Sequence, residues 1–298
     1  MTAKGFGSWG RWGSDDERGA TNLLTADHVL QSLRTAATKG RLYPLAQPIR
    51  PNGTPRSDSG LSIHLMSQDA GDYATGAVAP VGEGQSVAMD YLFLRLHGSA
   101  THVDALGHVW AGDQLYNGHA SAGGGSAGLR RCAIDRLPGM ITRGVLLDVA
   151  GRQNVPRLES SKEITVGDLE ACLRDQGVDL KAGDAVLIRT GWPSMYSEDA
   201  ERYVWEFPGI GLAAARWLAA HDVVLVGADT LGVEVRTRAR PWDLPVHLCL
   251  LHEHGVHMLE LLDLERLAAD NVHEFLFILA PLPIEGGTGS PVNPLAIA

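Results

Sequence analysis

The chain is poor in cysteine: Cys132, Cys172 and Cys249 are its only three, widely scattered and forming no CxxC pair. A disulfide scaffold is excluded, and isolated thiols suit a reducing compartment. Blocks of Lys or Arg are also missing. With 25 Lys+Arg against 35 Asp+Glu the formal charge is −10, so neither nucleic acid nor an anionic membrane is an expected partner. Apolar runs fall far short of the roughly 20 residues that span a bilayer. The opening residues, MTAKGFGSWGRWGSDDERG, have no apolar core of a secretory signal, and a cytoplasmic protein is expected. No fixed-period repeat or low-complexity tract occurs, which removes fibrous and disordered classes. What is there is an acidic globular chain of 298 residues, 45% hydrophobic, with 35 glycines and 12 histidines.

Short apolar runs alternate with helical patterns. Residues 144–150 (GVLLDVA), 185–190 (AVLIRT), 223–227 (VVLVG) and 275–280 (FLFILA) read as buried strands. Residues 87–96 and 256–260 read as two more. Between them, 165–176 predicts a helix, with Thr165 as N-cap, Asp168 completing a capping box and Gly177 as the stop. Helices are also predicted over 212–220, near 264–269, and over 245–254, where Pro245 opens the first turn and Gly255 closes the last. Thr25 caps a short helix reaching 37, with His28, Leu30 and Leu33 on its apolar side. The alternation predicts an α/β fold. Nothing between 85 and 285 reads as a linker, so a single domain over 1–298 is expected, with 1–85 an N-terminal elaboration and 86–285 the core.

Two segments carry the chemistry. Residues 96–109, LHGSATHVDALGHV, hold His97, His102, Asp104 and His108. If 101–104 is extended, alternation places His102 and Asp104 on one face. Imidazole and carboxylate on one face suit a divalent metal, and Gly98, Ser99 and Ala100 are small enough to let a ligand approach. A surface loop with solvated histidines is the bland alternative. The second segment, 246–264, reads VHLCLLHEHGVHMLELLDL. There His247 shares a helix face with Leu250, Leu251 and His254. Glu260 stands among apolar neighbours, where a carboxylate is costly unless paired or metal-bound. His252, Glu253 and His257 read as solvated.

Other features point less far. GGTGS at 286–290 lacks the helix and Lys of a phosphate loop. Ser99 lies in no GxSxG elbow, and the cysteines read as buried structural thiols. Asp229 and Thr230 end a strand, where α/β sheets place site residues, or else merely terminate it. Trp9, Trp12 and Tyr116 are candidates for an aromatic wall against a planar substrate.

HGSATHVDALGH resembles the signature of the metal-dependent cyclase family, loosely H-x-G-T-H-x-D-x-P-x-H, a family that includes bacterial kynurenine formamidase and isatin hydrolase. Thr101, His102, Asp104 and His108 match in register. The likeness runs on through RGVLLDVA, LIRTGW, VGADT and the His247–Glu260 segment to GTGSPVNP, nearly the whole chain. Two positions depart: the family's first His falls on Gly98, so His97 must serve from one residue further out, and the family Pro is Leu106. The resemblance implies a swivelling β/β/α-type fold with a mixed sheet, dimeric or tetrameric, around a Zn2+ or Mn2+ centre. It implies His102 and Asp104, with His97, as metal ligands, His247 and Glu260 completing the site, and His108 as the catalytic acid/base. The implied activity is hydrolysis of a small amide, formamide, lactam or lactone. A cyclase or dehydratase, or a non-catalytic metal-binding protein, are the alternatives. The net charge makes a neutral substrate the natural expectation.

Overall fold

The computed structural model describes residues 7–49, 63–122 and 124–298; residues 1–6 and 50–62 of the expected N-terminal elaboration lie outside them. Nine strands make one mixed sheet: β1 (Leu42–Pro44), β2 (His102–Asp104), β3 (Met140–Asp148), β4 (Ala185–Arg189), β5 (Leu225–Ala228), β6 (His257–Glu260), β7 (Glu274–Leu279), β8 (Gly289–Pro291) and β9 (Leu295–Ile297). Their order is β1-β9-β7-β3-β4-β5-β6-β2-β8. Strands β3 to β6 are parallel, and both flanks are antiparallel. Parallel strands are covered on both faces and so read as unbroken apolar text. Val145, Leu146, Leu147, Val186, Leu187, Leu225 and Val226 are accordingly all buried in the main core. The sheet also draws on chain beyond 86–285, taking β1 from one end and β8 and β9 from the other.

Helix α1 (Ala26–Thr35), α2 (Val166–Gln176) and α3 (Leu212–Ala220) form where propensity and caps place them. The capping box of α2 is complete: Thr165 Oγ1 accepts from Asp168 N at 3.2 Å, and Thr165 N donates to Asp168 Oδ2 at 2.9 Å. Thr25 caps α1 as expected, but Leu30 and Leu33 stay 47% and 45% exposed. That helix docks instead through His28, whose Nε2 meets Thr142 Oγ1 of β3 at 2.8 Å. Pro245–His247 opens a helix that widens into a π-turn over Leu248–Glu253. His252 and His257 are buried rather than solvated, and His257 Nδ1 donates to the Asp104 carbonyl at 2.8 Å.

The strand expected over 87–96 does not join the sheet. Among the described residues Met89–Phe93 pairs with Ile63–Gln68 alone, in a two-stranded ribbon on which Tyr91 and Phe93 are 58% and 59% exposed.

Asp229, just past β5, closes the question of what that strand end does. Its carboxylate accepts from Thr190 N at 3.0 Å, Thr190 Oγ1 at 2.6 Å and Gly191 N at 2.8 Å. It thereby ties the end of β5 to the end of β4, and burial pushes its carboxyl up to about 6. Asp229→Ala should leave three buried donors without an acceptor and lower unfolding stability by about 3 kcal/mol or more, read as a shift of the urea midpoint.

Candidate metal centre

Strand β2 lies between β6 and β8, and this register builds the site. His102 stands opposite Glu260 of β6, so the two side chains share a face, and alternation adds Asp104 to it. All three are buried. On the other side Gly289 of β8 stands opposite Asp104. A Cβ there would come within 2.9 Å of the His97 ring, which requires glycine. The neighbouring Thr288 Oγ1 lies 2.9 Å from His97 Nε2. The GGTGS segment is therefore the support of His97. Thr288 was not legible as a site residue, because only the β2–β8 pairing brings it there.

The donor atoms converge on a common centre. His97 Nδ1 is 2.9 Å from Asp104 Oδ1, and His102 Nε2 is 3.5 Å from that oxygen and 3.3 Å from Glu260 Oε2. His97 Nδ1, His102 Nε2, both Asp104 oxygens and Glu260 Oε1 nevertheless have no hydrogen-bond partner among the described residues. Ligands of one ion at about 2.0–2.2 Å stand roughly 3.0–3.5 Å from one another, which is the spacing seen. Second partners fix the rings. His102 Nδ1 donates to the Ala100 carbonyl at 2.9 Å, leaving the lone pair on Nε2 facing inward. His247 Nδ1 is hydrogen-bonded to Glu234, with Nε2 3.2 Å from Glu260 Oε1. Such outer partners set the tautomer of metal-binding histidines. The residues present fit a divalent cation with oxygen and imidazole ligands.

Glu234 was missed at the sequence level, although it lies between Val233 and Val235 as Glu260 does among apolar neighbours. Its other oxygen accepts from Val246 N at 3.0 Å.

The electrostatics demand positive charge at the centre. Burial disfavours a charged His102, but the Glu260 and Asp104 carboxylates outweigh it and raise the ring to about 9. Burial is likewise overcome at His247, where Glu234 and Glu260 hold the proton well above the ordinary range. Burial would raise Asp104, yet His108, His97 and His102 keep it well below the usual carboxylate range. Burial and Asp104 would raise Glu260, and His102 and His247 bring it below its ordinary value instead. The carboxylates are neutralised by imidazole protons or by a divalent ion that replaces them. His108 differs: burial drives it down to about 3, so it stands as a neutral ring. It stacks on His97 with centroids 3.6 Å apart and planes 5° from parallel, and lies 6.2 Å from His247. His97, His102 and Asp104 stand close enough together that they could hold one metal ion, and so do Asp104, His108 and His247, which share the aspartate.

A cavity of about 320 Å3 opens beside these groups, walled by His97, Gly98 and His108 on one side and by Phe207, Leu231 and Trp242 on the other. The aromatic candidates from the sequence lie elsewhere. Tyr116 is wholly buried in the core, with its hydroxyl 3.2 Å from Asp16 Oδ2. Trp9 donates from Nε1 to the His252 carbonyl at 2.6 Å, and Trp12 lies under the Arg11 guanidinium. All three pack the N-terminal segment against the body, and the rings lining this chain's cavity are Phe207 and Trp242.

The Cyclase family model matches residues 43–235. A crystal structure of a novel cyclase superposes with a TM-score of 0.90 at 32% identity, covering 98% of this chain and 100% of that one. An isatin hydrolase bound to the product analogue thioisatinate aligns with a TM-score of 0.63 at 20% identity, over 92% of this chain and 99% of its own. A protein from Bacillus stearothermophilus, described as a predicted metal-dependent hydrolase, aligns with a TM-score of 0.54 at 22% identity, over 86% and 97%. The likeness to these last two is one of fold. No curated protein matches the chain.

His102→Ala and Asp104→Ala should each abolish tight binding of one divalent ion, measured by titration of the chelator-stripped protein. Thr288→Val removes the polar partner of His97 and should weaken that affinity about 10–100-fold, the usual worth of a partner behind a ligand. Unchanged affinity would remove His97 from the ligands.

Proposed function

Since the chain belongs to the Cyclase family, we propose that it is a metal-dependent hydrolase opening a small amide, formamide, lactam or lactone. The observation that carries this reading is the convergence of His97, His102, Asp104 and Glu260 atoms without hydrogen-bond partners, beside a neutral His108 at the wall of a small cavity. His247 completes the proposed ligand set. The imidazole and carboxylate donors, with no thiolate among them, suit Zn2+ or Mn2+.

A divalent ion held there would polarise the substrate carbonyl and bring the pKa of a bound water towards about 7. The remaining work falls to the protein. Phe207 and Leu231, both buried, give the cavity an apolar wall that excludes bulk water from the reacting carbonyl. Gly232 leaves room for the Phe207 ring, which a Cβ there would approach to 3.2 Å. His108 takes a proton from the attacking water and returns it to the leaving nitrogen or oxygen. The water oxygen bonds to the carbonyl carbon, the C–N or C–O bond breaks, and the product is a carboxylate.

His108→Ala should keep its metal and fold while kcat falls about 10²–10⁴-fold with KM little changed. Release of carboxylate from formamides, lactams and lactones, with and without added Mn2+ or Zn2+, is the measurement. It also separates hydrolysis from a cyclase reaction, which releases none. A variant that loses its metal would make His108 a ligand, and one that keeps metal and full rate would remove the proposed base.

The homodimer reading is supported by the ribbon at 63–93. A two-stranded ribbon is marginal alone, and one face of this one exposes Ile63, Leu65, Tyr91 and Phe93 together, a patch of the kind that marks association. Phe93→Asp with Tyr91→Asp should shift the solution mass, by light scattering, from a multiple of 31.9 kDa towards that value.

A further inference from the structure

The π-turn that follows His247 gathers three donor side chains that the centre does not use. Cys249, Glu253 and His254 each bring one ligand atom, and these atoms all lie within 4.8 Å of one another. The backbone accounts for the meeting. His254 N donates to Cys249 O at 3.1 Å, closing the turn at i+5 rather than at the i+4 of an α-helix. The wider turn leaves Glu253 just short of a full rotation from Cys249 and carries His254 just past it, so the two flank the thiol. In a regular helix of 3.6 residues per turn, His254 would instead keep the face of His247 that its spacing predicts. Cys249 stands two residues beyond His247, and residues two apart on a helix do not face each other. The group is therefore separate from the cluster of His97, His102 and Asp104.

We propose that Cys249, Glu253 and His254 form a second cation site, one that takes a thiophilic divalent ion, Zn2+, with water in the remaining position. Three protein donors leave open one corner of the tetrahedron that zinc prefers. A thiolate selects zinc over ions that favour oxygen, and the donors of the other centre include none. Charge balances too, since one thiolate, one carboxylate and a neutral imidazole cancel a dication; the thiol proton is released to water as the ion binds. No side-chain hydrogen bond or salt bridge competes for these three donor groups among the described residues. Cys249 is buried, whereas Glu253 and His254 are half-buried. The ion enters from their side, and their rotation closes the set to the roughly 3.5 Å that separates ligands of one zinc. Arg216 of α3 is the neighbouring cation, and it is exposed, where salt and water screen it. Ser8 rests on the same turn, its N donating to Glu253 O at 3.0 Å and its hydroxyl to His254 O at 2.7 Å. An ion held here clips the turn at the seam between the N-terminal segment and the body, a structural role.

The probe is Co2+ added to the chelator-stripped chain, read by the near-ultraviolet charge-transfer band that a thiolate ligand produces. The centre at His102 has no thiolate, so the band reports this site alone. Wild type should develop it, and Zn2+ should bleach it. C249S should abolish the band and leave ion binding at the centre, and H102A should do the reverse. E253Q and H254A should each weaken the Co2+ affinity read from the band at least as much as losing a partner behind a ligand does, about 10–100-fold. No band in wild type would overturn the proposal, and that result needs no variant to fold. A band that survives C249S belongs to Cys132 or Cys172 and would overturn it as well. So would unchanged affinity in both E253Q and H254A, since a lone thiol then holds the ion. A band that Zn2+ fails to bleach would overturn the choice of ion. Hydrolytic activity enters none of these readings, so failure of the hydrolase assignment would leave the site standing.

Discussion

The pairing of β2 with β6 is the constraint on which the rest of the molecule turns. It sets His102 directly opposite Glu260 and, through the two-residue pleat, puts Asp104 on the same buried face. Two carboxylates withdrawn from water within one small volume cost several kcal/mol each unless positive charge meets them. A one-residue slip of β2 would turn His102 and Asp104 to the opposite face, away from Glu260. Packing disfavours such a slip, because Val103 and Leu259 occupy that opposite face and are fully buried.

Much of what surrounds this pair can be understood as support for it. Thr101, the residue before β2, donates from its hydroxyl to the Leu261 carbonyl and accepts from Gln47 N at 2.9 Å, joining the start of one strand to the end of the other. His257, on the face away from the cluster, donates to the Asp104 carbonyl and so holds the Asp104 backbone in place. Glu234 and Ala100 each fix one imidazole, and Thr288 a third. The number of such partners explains why so many polar groups are buried around β2 and β6.

The sequence made the centre of this arrangement legible and left its margins dark. Alternation in HVD paired His102 with Asp104, and isolation among apolar neighbours marked Glu260, because both signals are local; only the family resemblance joined the two segments, since the β2–β6 pairing that does so in the fold is long-range. The capped helix after Thr165 and the apolar central strands were legible for the same reason. Thr288 and Gly289 were not, since their role exists only through an antiparallel pairing across most of the chain. No period in the sequence marks the aromatic lining: Trp9, Trp12 and Tyr116 anchor the N-terminal segment instead. Phe207 and Trp242 wall the cavity from loops whose positions no period encodes. Glu234 is the instructive omission: the reasoning that singled out Glu260 applied equally to an acid between two valines.

Backbone strain marks the same spot. Leu261 follows Glu260 directly and adopts φ +60°, a left-handed conformation unfavourable for a branched side chain. It is held there from both sides, by the Thr101 bond to its carbonyl and by its own N–H donating to Thr230 O at 2.9 Å. The buried Leu261 side chain then joins Trp192, Tyr203 and Phe207 in a second apolar cluster, the one that backs the cavity wall. The turn that ends β6 just after Glu260 therefore also connects the buried His102–Asp104–Glu260 cluster to the cavity wall. Strain of this kind persists only where surrounding contacts over-determine it, and here one contact ties the turn to the start of β2 and the other to the segment just past β5. Glycine at 261 would relax the turn, but it would give up the side chain that seats Phe207, so the strained leucine is the residue that serves both halves of the site.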